Sequence, residues 1–163
     1  MLDKRIQFRE IEKQDNPAIA KVIRTSLEEF GENKPGTVYT DPTTDQLFEL
    51  FQTKGAKYFV ALDKEEIIGG CGIFPTNGLP NQYAELVKLY LSGEYRKRGI
   101  GKELMQVSID YARSINYSHL YLESIPSLNN AIYLYRKMGF NEINERLGNS
   151  GHFSCNLWMV KKL

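Results

Sequence analysis

The feature that most constrains this chain is the stretch 84–116, in which a strand, a basic glycine turn and a helix follow one another. Residues 84–91 alternate and are rich in leucine, valine and tyrosine, which predicts a buried strand. A serine and a glycine at 92–93 end that strand, and residues 99–101 open an amphipathic helix. A helix start has unpaired N–H groups and a positive dipole end, and glycines let an anion approach closely.

Four cations surround this turn, namely Arg96, Lys97, Arg98 and Lys102. Like charges so closely spaced repel one another unless an anion binds between them, so we predict a pocket for a pyrophosphate. A Rossmann fingerprint is excluded because Glu103 and Leu104 follow where a third glycine is needed. A P-loop is excluded because Glu103 replaces the required hydroxyl residue. The alternative is a plain helix start that carries surface charge.

Two motifs resemble those of the GCN5-related N-acetyltransferase (GNAT) family. Arg96, Gly99 and Gly101 match the (Q/R)-x-x-G-x-(G/A) motif, with which the family holds the pyrophosphate of acetyl-CoA. Residues 131–140 look like its second signature, A-x-x-L-Y-x-x-x-G-F. The resemblance covers residues 6–163 in element order, and in residue detail it is specific between about 84 and 140.

The predicted element order is β-α-α-β-β-β-α-β-α-β-β. The expected strands are 6–11, 58–62, 67–74, 84–91, 119–124, 140–146 and 153–161. The expected helices start near 16, 43, 100 and 129, and residues 32–41 are expected to form an exposed loop. We expect one domain, 1–163, of the α/β (α+β) class. Its sheet is mixed and mostly antiparallel, with a central parallel β-α-β unit and helices on both faces, as in the GNAT acyl-CoA N-acyltransferase fold.

The resemblance implies acetyl-CoA as co-substrate, with no metal. In the family the strands that match 84–91 and 119–124 splay apart, and pantetheine lies in the gap. The residues that the resemblance assigns to CoA or the thioester are Leu89, Tyr90, Leu91, Arg96, Lys97, Arg98, Gly99, Ile100, Gly101 and Lys102. An N–H near Leu89 would be the oxyanion donor, and plain sheet pairing is the alternative. Many members have asparagine where this chain has Leu128, and Asn130 is the offset candidate.

Glu85 and Tyr135 are the candidate catalytic residues. A carboxylate within a buried strand is costly unless it is paired or functional, and amine attack on a thioester needs a proton acceptor. Glu85 is therefore a candidate base, with a solvated or salt-bridged glutamate as the alternative. The family tyrosine that matches Tyr135 gives a proton or a hydrogen bond to the leaving thiolate. Core packing is the alternative for Tyr135.

The predicted function is an N-acetyltransferase that moves acetyl from acetyl-CoA to a primary amine by direct attack through a tetrahedral intermediate. Neither Cys71 nor Cys155 has a nucleophile context, and both are expected to be small buried apolar residues in a reducing compartment, with a disulfide between them as the alternative. A non-catalytic CoA-binding regulatory domain and a nucleic-acid-binding module are the alternatives. In the family, residues near 27–48 and 147–155 set the acceptor, here a small-molecule or peptide amine, and His152 is a candidate contact.

Charge and hydropathy argue against other partners. The net charge is +1, and 42% of residues are hydrophobic, so neither nucleic acid nor a membrane is expected as a partner. His119 and His152 lack metal-like spacing with the cysteines. No signal-peptide core follows residues 1–5, so a cytoplasmic location is expected. Family members often form homodimers, and the sequence leaves a monomer and a homodimer open.

Overall fold

The computed structural model describes residues 5–163, and its strands form one mixed sheet. The strands are β1 (Ile6–Glu10), β2 (Lys57–Asp63), β3 (Glu66–Phe74), β4 (Tyr83–Leu91), β5 (His119–Ser124), β6 (Asn141–Ile143) and β7 (Leu157–Lys162). The helices are α1 (Asn16–Glu29), α2 (Leu47–Leu50), α3 (Ile100–Ser114) and α4 (Asn129–Lys137). The sheet order is β1-β2-β3-β4-β5-β7-β6, with β4 and β5 parallel and the other neighbours antiparallel. The predicted fold class is confirmed.

The helices cover both faces of the sheet because each presents an apolar stripe. On one face, α3 and α4 bury Ile100, Leu104 and Tyr135 in a cluster with the central strands. On the other face, α1 and α2 bury a second cluster around Ile23 and Leu47. Burial of this kind is the main driving force for folding. Strand β4 therefore packs against helices on both of its faces.

Two parts of the chain differ from the predictions. Residues 32–41 were expected to be an exposed loop, but Thr37 and Val38 are buried. The Thr37 hydroxyl donates to the Lys34 carbonyl at 2.8 Å, so the segment folds onto itself and covers the end of α1. The strands expected at 140–146 and 153–161 are shorter, because residues 153–156 form turn and loop contacts instead. The Ser154 N–H, for example, donates to the Gly36 carbonyl at 3.0 Å.

The parallel strands part soon after they begin. Pairing between β4 and β5 covers three positions, and the last pair is Glu85 with Tyr121. Beyond that pair, β5 continues beside β7 as far as Ser124, while β4 continues beside β3 as far as Leu91. The splay that the family resemblance implied is therefore present, and it leaves one edge of β4 beside a gap.

A bulge in β4 lies beside this gap. Gly70 pairs with Tyr90 and Gly72 with Val87, so β4 carries one extra residue there. Lys88, within the bulge, has φ +53°, a left-handed conformation that is unusual for lysine. The buried Tyr58 hydroxyl donates to the Lys88 carbonyl at 2.8 Å and so fixes the bulge.

Glycines in β3 make room for the Tyr58 ring. A Cβ atom at Gly70 would lie 2.4 Å from the ring, and one at Gly72 would lie 2.6 Å from it. Such distances are far below van der Waals contact, so the ring needs glycine at both positions. The bulge therefore depends on residues of β2 and β3 as well as on its own sequence.

We predict that Tyr58→Phe lowers the free energy of unfolding by about 1–3 kcal/mol, because a buried carbonyl loses its donor. Chemical denaturation followed by circular dichroism measures this change. Tyr117→Phe is the matched control, since the Tyr117 hydroxyl also donates to a carbonyl, that of Gly55 at 2.9 Å, but at a partly exposed site. A loss in Tyr58→Phe no larger than that in the control would contradict a bulge held by this phenol.

Candidate active site

A large cleft opens where β4, the glycine turn and α4 meet. Its volume is about 660 Å³. The predicted cofactor residues that line it are Leu89, Tyr90, Leu91, Arg96, Lys97, Gly99, Gly101, Lys102 and Asn130. The side chain of Ile100 lies instead in the core, and the Arg98 guanidinium lies 5.2 Å from the centre of the Tyr95 ring. The exposed Tyr133 also lines the cleft.

The glycine turn presents open backbone to this cleft. Gly99 caps α3 with φ +81°, and a Cβ atom there would meet nothing within 4 Å. At Gly101 the nearest atom to an added Cβ would be Leu134 Cδ2, at 3.4 Å. The first N–H groups of a helix carry partial positive charge and are unpaired within the helix. The turn thus has the shape and the polarity of a diphosphate cradle.

Arg96 anchors this turn to α1. Its guanidinium lies 2.7 Å from a Glu29 carboxylate oxygen and donates to the Leu91 carbonyl at 3.0 Å. It also lies over the Phe30 ring, 5.0 Å from the ring centre. The Leu91 carbonyl is therefore already engaged, and Arg96 acts mainly as a tie between elements. No local pattern indicates the ion pair with Glu29, because its two members lie 67 residues apart.

A second, smaller cavity of about 50 Å³ adjoins the cleft, and the two share Leu89, Tyr90 and Leu128. Glu85 and Tyr135, the two residues predicted to be catalytic, both line this small cavity. One comes from β4 and the other from α4. The gap between β4 and β5 thus brings the two side chains to a common space at the inner end of the cleft.

Glu85 is 3% exposed, and one of its carboxylate oxygens accepts a hydrogen bond from the Thr76 hydroxyl at 2.6 Å. Among residues 5–163 its other oxygen has no hydrogen-bond donor. Burial raises the pKa of this carboxyl from 4.5 to about 7, opposed by the Thr76 hydrogen bond and assisted by the nearby Glu123. A carboxyl that titrates near neutral pH is suited to accept a proton.

Tyr135 is 7% exposed, and its ring packs edge-on against Phe140 with ring centres 6.1 Å apart. Its hydroxyl makes no hydrogen bond with any residue that the structure describes. Burial raises the pKa of this hydroxyl above its ordinary value. The phenol therefore stays protonated at neutral pH and can donate a hydrogen bond into the cavity.

Glu123 was missed in the sequence, although it lines the same cavity. The hydroxyl of Tyr121 donates to it at 2.6 Å, the Ser150 hydroxyl donates to its other oxygen, and Arg146 lies 3.5 Å away. These partners occupy its oxygens, which makes it a less suitable base than Glu85. Glu123 lies two residues beyond the last β4–β5 pair, and the sequence alone does not reveal the register of these two strands.

Lys88, Asp41 and His152 form a chain of polar contacts at the cavity. His152 Nε2 lies 2.9 Å from an Asp41 oxygen, and Lys88 Nζ lies 3.9 Å from that oxygen. The His152 contact holds the pKa of the Asp41 carboxyl well below its usual range. His152 and Lys88 both line the cavity, and a contact between His152 and an acceptor stays a prediction. Lys88 was not predicted to be a side-chain contact.

The two cysteines differ in their surroundings. Both are free, and Cys71 is buried in the core as expected. Cys155 lines the small cavity and is partly exposed, which corrects the expectation of a simple core residue. Burial raises the pKa of its thiol from 9.0 to about 12. The thiolate, which is the nucleophilic form, is therefore disfavoured at neutral pH.

Comparisons with known proteins identify the family of this chain. The model of the acetyltransferase (GNAT) family matches residues 19–140, and the chain belongs to this family. It is 36% identical over 157 residues to the uncharacterized N-acetyltransferase YjgM of Escherichia coli (strain K12), covering 96% of this chain and 94% of that protein.

Solved structures give the same fold. An acetyltransferase of the GNAT family from Staphylococcus aureus Mu50 superposes with a TM-score of 0.83 at 21% identity, covering 97% of this chain and 99% of that one. The PaiA N-acetyltransferase of Thermoplasma acidophilum, solved in complex with coenzyme A, gives a TM-score of 0.71 at 18% identity, covering 97% and 99% of the two chains.

Across residues 5–163, no helix has the length and apolar character needed to cross a membrane. In the same range, no three or more His, Cys, Asp or Glu side chains gather in a way that would hold a metal ion.

Proposed function

We propose that this protein transfers the acetyl group of acetyl-CoA to a primary amine by direct attack of the amine on the thioester. The observation that carries the proposal is the meeting of Glu85 and Tyr135 in one cavity at the inner end of the cleft. A proton acceptor and a neutral hydroxyl donor are the two groups that this reaction needs. The coenzyme in the PaiA structure supports CoA as the ligand of the cleft.

The size of the cleft and the cations that line it support acetyl-CoA as the co-substrate. The N–H groups at the start of α3 would hold the diphosphate, with Lys97 and Lys102 beside it. The backbone of Leu89 and Tyr90 would bind the pantetheine arm, and an N–H at the bulge would donate to the oxyanion. Acetyl-CoA supplies the activated acyl group, whose thioester carbonyl is the site of attack.

In the proposed reaction, Glu85 takes a proton from the attacking amine, directly or through water. The new bond joins the amine nitrogen to the carbonyl carbon, and the carbon–sulfur bond then breaks. Tyr135 donates a hydrogen bond to the departing sulfur. Because the Cys155 thiolate is disfavoured, transfer through an acetylated cysteine has little support.

Release of free thiol from acetyl-CoA in the presence of a panel of primary amines tests the proposal, with mass spectrometry of the acetylated product. Binding of acetyl-CoA without thiol release from any amine would favour the alternative, a non-catalytic CoA-binding regulatory domain. If calorimetry shows no binding of acetyl-CoA at millimolar concentration, both the acetyltransferase hypothesis and the CoA-binding hypothesis are contradicted. A ligand that binds only the native state also raises the melting temperature, which gives an independent measure.

We predict that Gly101→Val weakens CoA binding by at least about tenfold while the protein stays folded. The valine side chain would occupy the space beside Leu134 at the mouth of the diphosphate cradle. Isothermal calorimetry measures affinity, and circular dichroism checks the fold. Ser114→Val, at the exposed other end of α3, is the control for a β-branched residue in this helix. Unchanged affinity in folded Gly101→Val would identify the turn as a plain helix start.

A further inference from the structure

The small cavity contains donor groups that the protein itself leaves unused. Ser124 is 3% exposed, and its hydroxyl has no hydrogen-bond partner among the described residues. Both Ser124 and Lys88 line the cavity. The Lys88 side chain is 4% exposed, and its ammonium makes no hydrogen bond within residues 5–163. Burying such groups without hydrogen-bond partners is costly, which indicates that a ligand provides the missing partners.

The nearest carboxylate satisfies Lys88 poorly. The Asp41 oxygen lies 3.9 Å from Lys88 Nζ, too far for a hydrogen bond. The same carboxylate accepts hydrogen bonds from the Thr43 N–H and hydroxyl, and it lies 2.9 Å from His152 Nε2. Asp41 is thus engaged mainly with Thr43 and His152. The three N–H groups of Lys88 are left for an acceptor inside the cavity.

Glu85 brings a group of the opposite charge, with only one of its oxygens hydrogen-bonded, to the same cavity. Its second oxygen has no donor among the described residues, whereas the neighbouring Glu123 is paired with Arg146 and two hydroxyls. A carboxylate at Glu85 and an ammonium at Lys88 would together complement a ligand that carries both an ammonium and a carboxylate. The cavity volume of about 50 Å³ requires that these two groups belong to a compact molecule.

Resting on the proposed function, we propose that the acceptor is a small amino acid. Its amine lies at Glu85, and its carboxylate accepts hydrogen bonds from Lys88 and Ser124. Hydrogen bonds between an ammonium and a carboxylate are about twice as strong as neutral ones. A carboxamide in the same place would lose that charge interaction, and a polyamine would bring a second cation against Lys88.

Acceptor comparison tests this directly. Thiol release is measured with the standard amino acids, β-alanine and γ-aminobutyrate, each beside its carboxamide and the amine that lacks the carboxyl group. We expect the best amino acid to exceed its amide in kcat/KM by about 10- to 100-fold. Equal or better turnover of the amides or plain amines would overturn the amino-acid proposal and leave the acetyltransferase proposal standing. Absence of both acetyl-CoA binding and thiol release would overturn the acetyltransferase proposal and this one with it.

Two variants assign the preference to its residues. Lys88→Met should bring the ratio of kcat/KM for acid over amide to within about twofold of one, chiefly through KM for the acid. Ser124→Ala should lower the same ratio without loss of stability, because the hydroxyl that it removes has no protein partner. Ser124→Ala therefore tests the assignment even if Lys88→Met does not fold.

Lys57→Met is the matched control, since Lys57 pairs with Glu10 at 3.2 Å and is not among the residues that line the cavity. It should keep the wild-type ratio. A general structural role of Lys88 would lower kcat/KM for acid and amide alike, so an unchanged ratio in folded Lys88→Met and Ser124→Ala would overturn the assignment.

Discussion

Glu85→Gln is expected to lower turnover by about 10²- to 10⁴-fold, the usual contribution of a general base. The amide keeps the shape of the side chain and can still accept from the Thr76 hydroxyl, but it cannot take a proton from the amine. Because Glu85 is not among the residues that line the large cleft, affinity for CoA should stay within about twofold of wild type. Steady-state thiol release and calorimetry measure the two quantities.

The pH dependence gives a sharper test of the same residue. Since the carboxyl has a pKa of about 7 in the folded protein, wild-type kcat/KM should rise through an acid limb near neutral pH. That limb should be absent in Glu85→Gln. Thr76→Val removes the hydrogen bond that opposes the shift, so it should move the limb to higher pH and leave the plateau rate nearly unchanged. If both variants keep the wild-type acid limb, the limb arises from the titration of a group other than Glu85.

The same carboxyl predicts a change in stability with pH. Its folded pKa is raised above the unfolded value of 4.5, so its contribution is fully present below about pH 4.5 and is lost as pH rises through about 7. Each unit of pKa shift corresponds to about 1.4 kcal/mol, so the loss is on the order of 3 kcal/mol. Glu85→Gln should therefore unfold at a higher temperature than wild type above pH 7, and at a similar one near pH 4.

The central unit was predictable from the sequence because its signals are local. Strand β5 runs from His119 to Ser124, as the alternation and its flanking residues predicted. The turn before α3 depends on Gly99, whose φ of +81° is favourable for glycine and unfavourable for most other residues. A motif made of neighbouring residues can be recognised in the sequence because its geometry depends mainly on its own backbone.

The acceptor side was not predictable because its contacts are distant in sequence. His152 and Asp41 lie 111 residues apart, and no local pattern pairs them. Strict alternation would place Lys88 on the same face as the buried Ala84 and Leu86, but the bulge interrupts the alternation and Lys88 Nζ lies 3.9 Å from Asp41 instead. That bulge depends on the register of β3 and β4 and on the Tyr58 ring. The short β6 and β7 likewise reflect tertiary contacts, since residues 153–156 bind the loop near Gly36.

Tyr135→Phe is expected to lower turnover by about 10- to 100-fold, in the range of a lost hydrogen bond to a charged group. The substitution removes one oxygen and little volume. Because the hydroxyl has no hydrogen-bond partner in the described chain, the melting temperature should be unchanged or slightly higher. A tyrosine kept for packing would give the opposite pattern, a lower melting temperature with little effect on turnover. Arg136→Lys, on the same helix but outside the residues that line the cleft and the cavity, is the control for general effects on α4.

The leaving group decides how Tyr135 acts. A cysteine thiol has a pKa of about 8.5, and burial raises the pKa of the Tyr135 hydroxyl above its ordinary 10. Complete proton transfer from the phenol to the thiolate is therefore uphill, and the phenol acts by donating a hydrogen bond while the negative charge grows on sulfur. Turnover in Tyr135→Phe should partly recover with acyl donors whose leaving thiol is more acidic, since their thiolates need less stabilisation. The same rate loss with every donor would remove Tyr135 from this step and leave stabilisation of the sulfur to water.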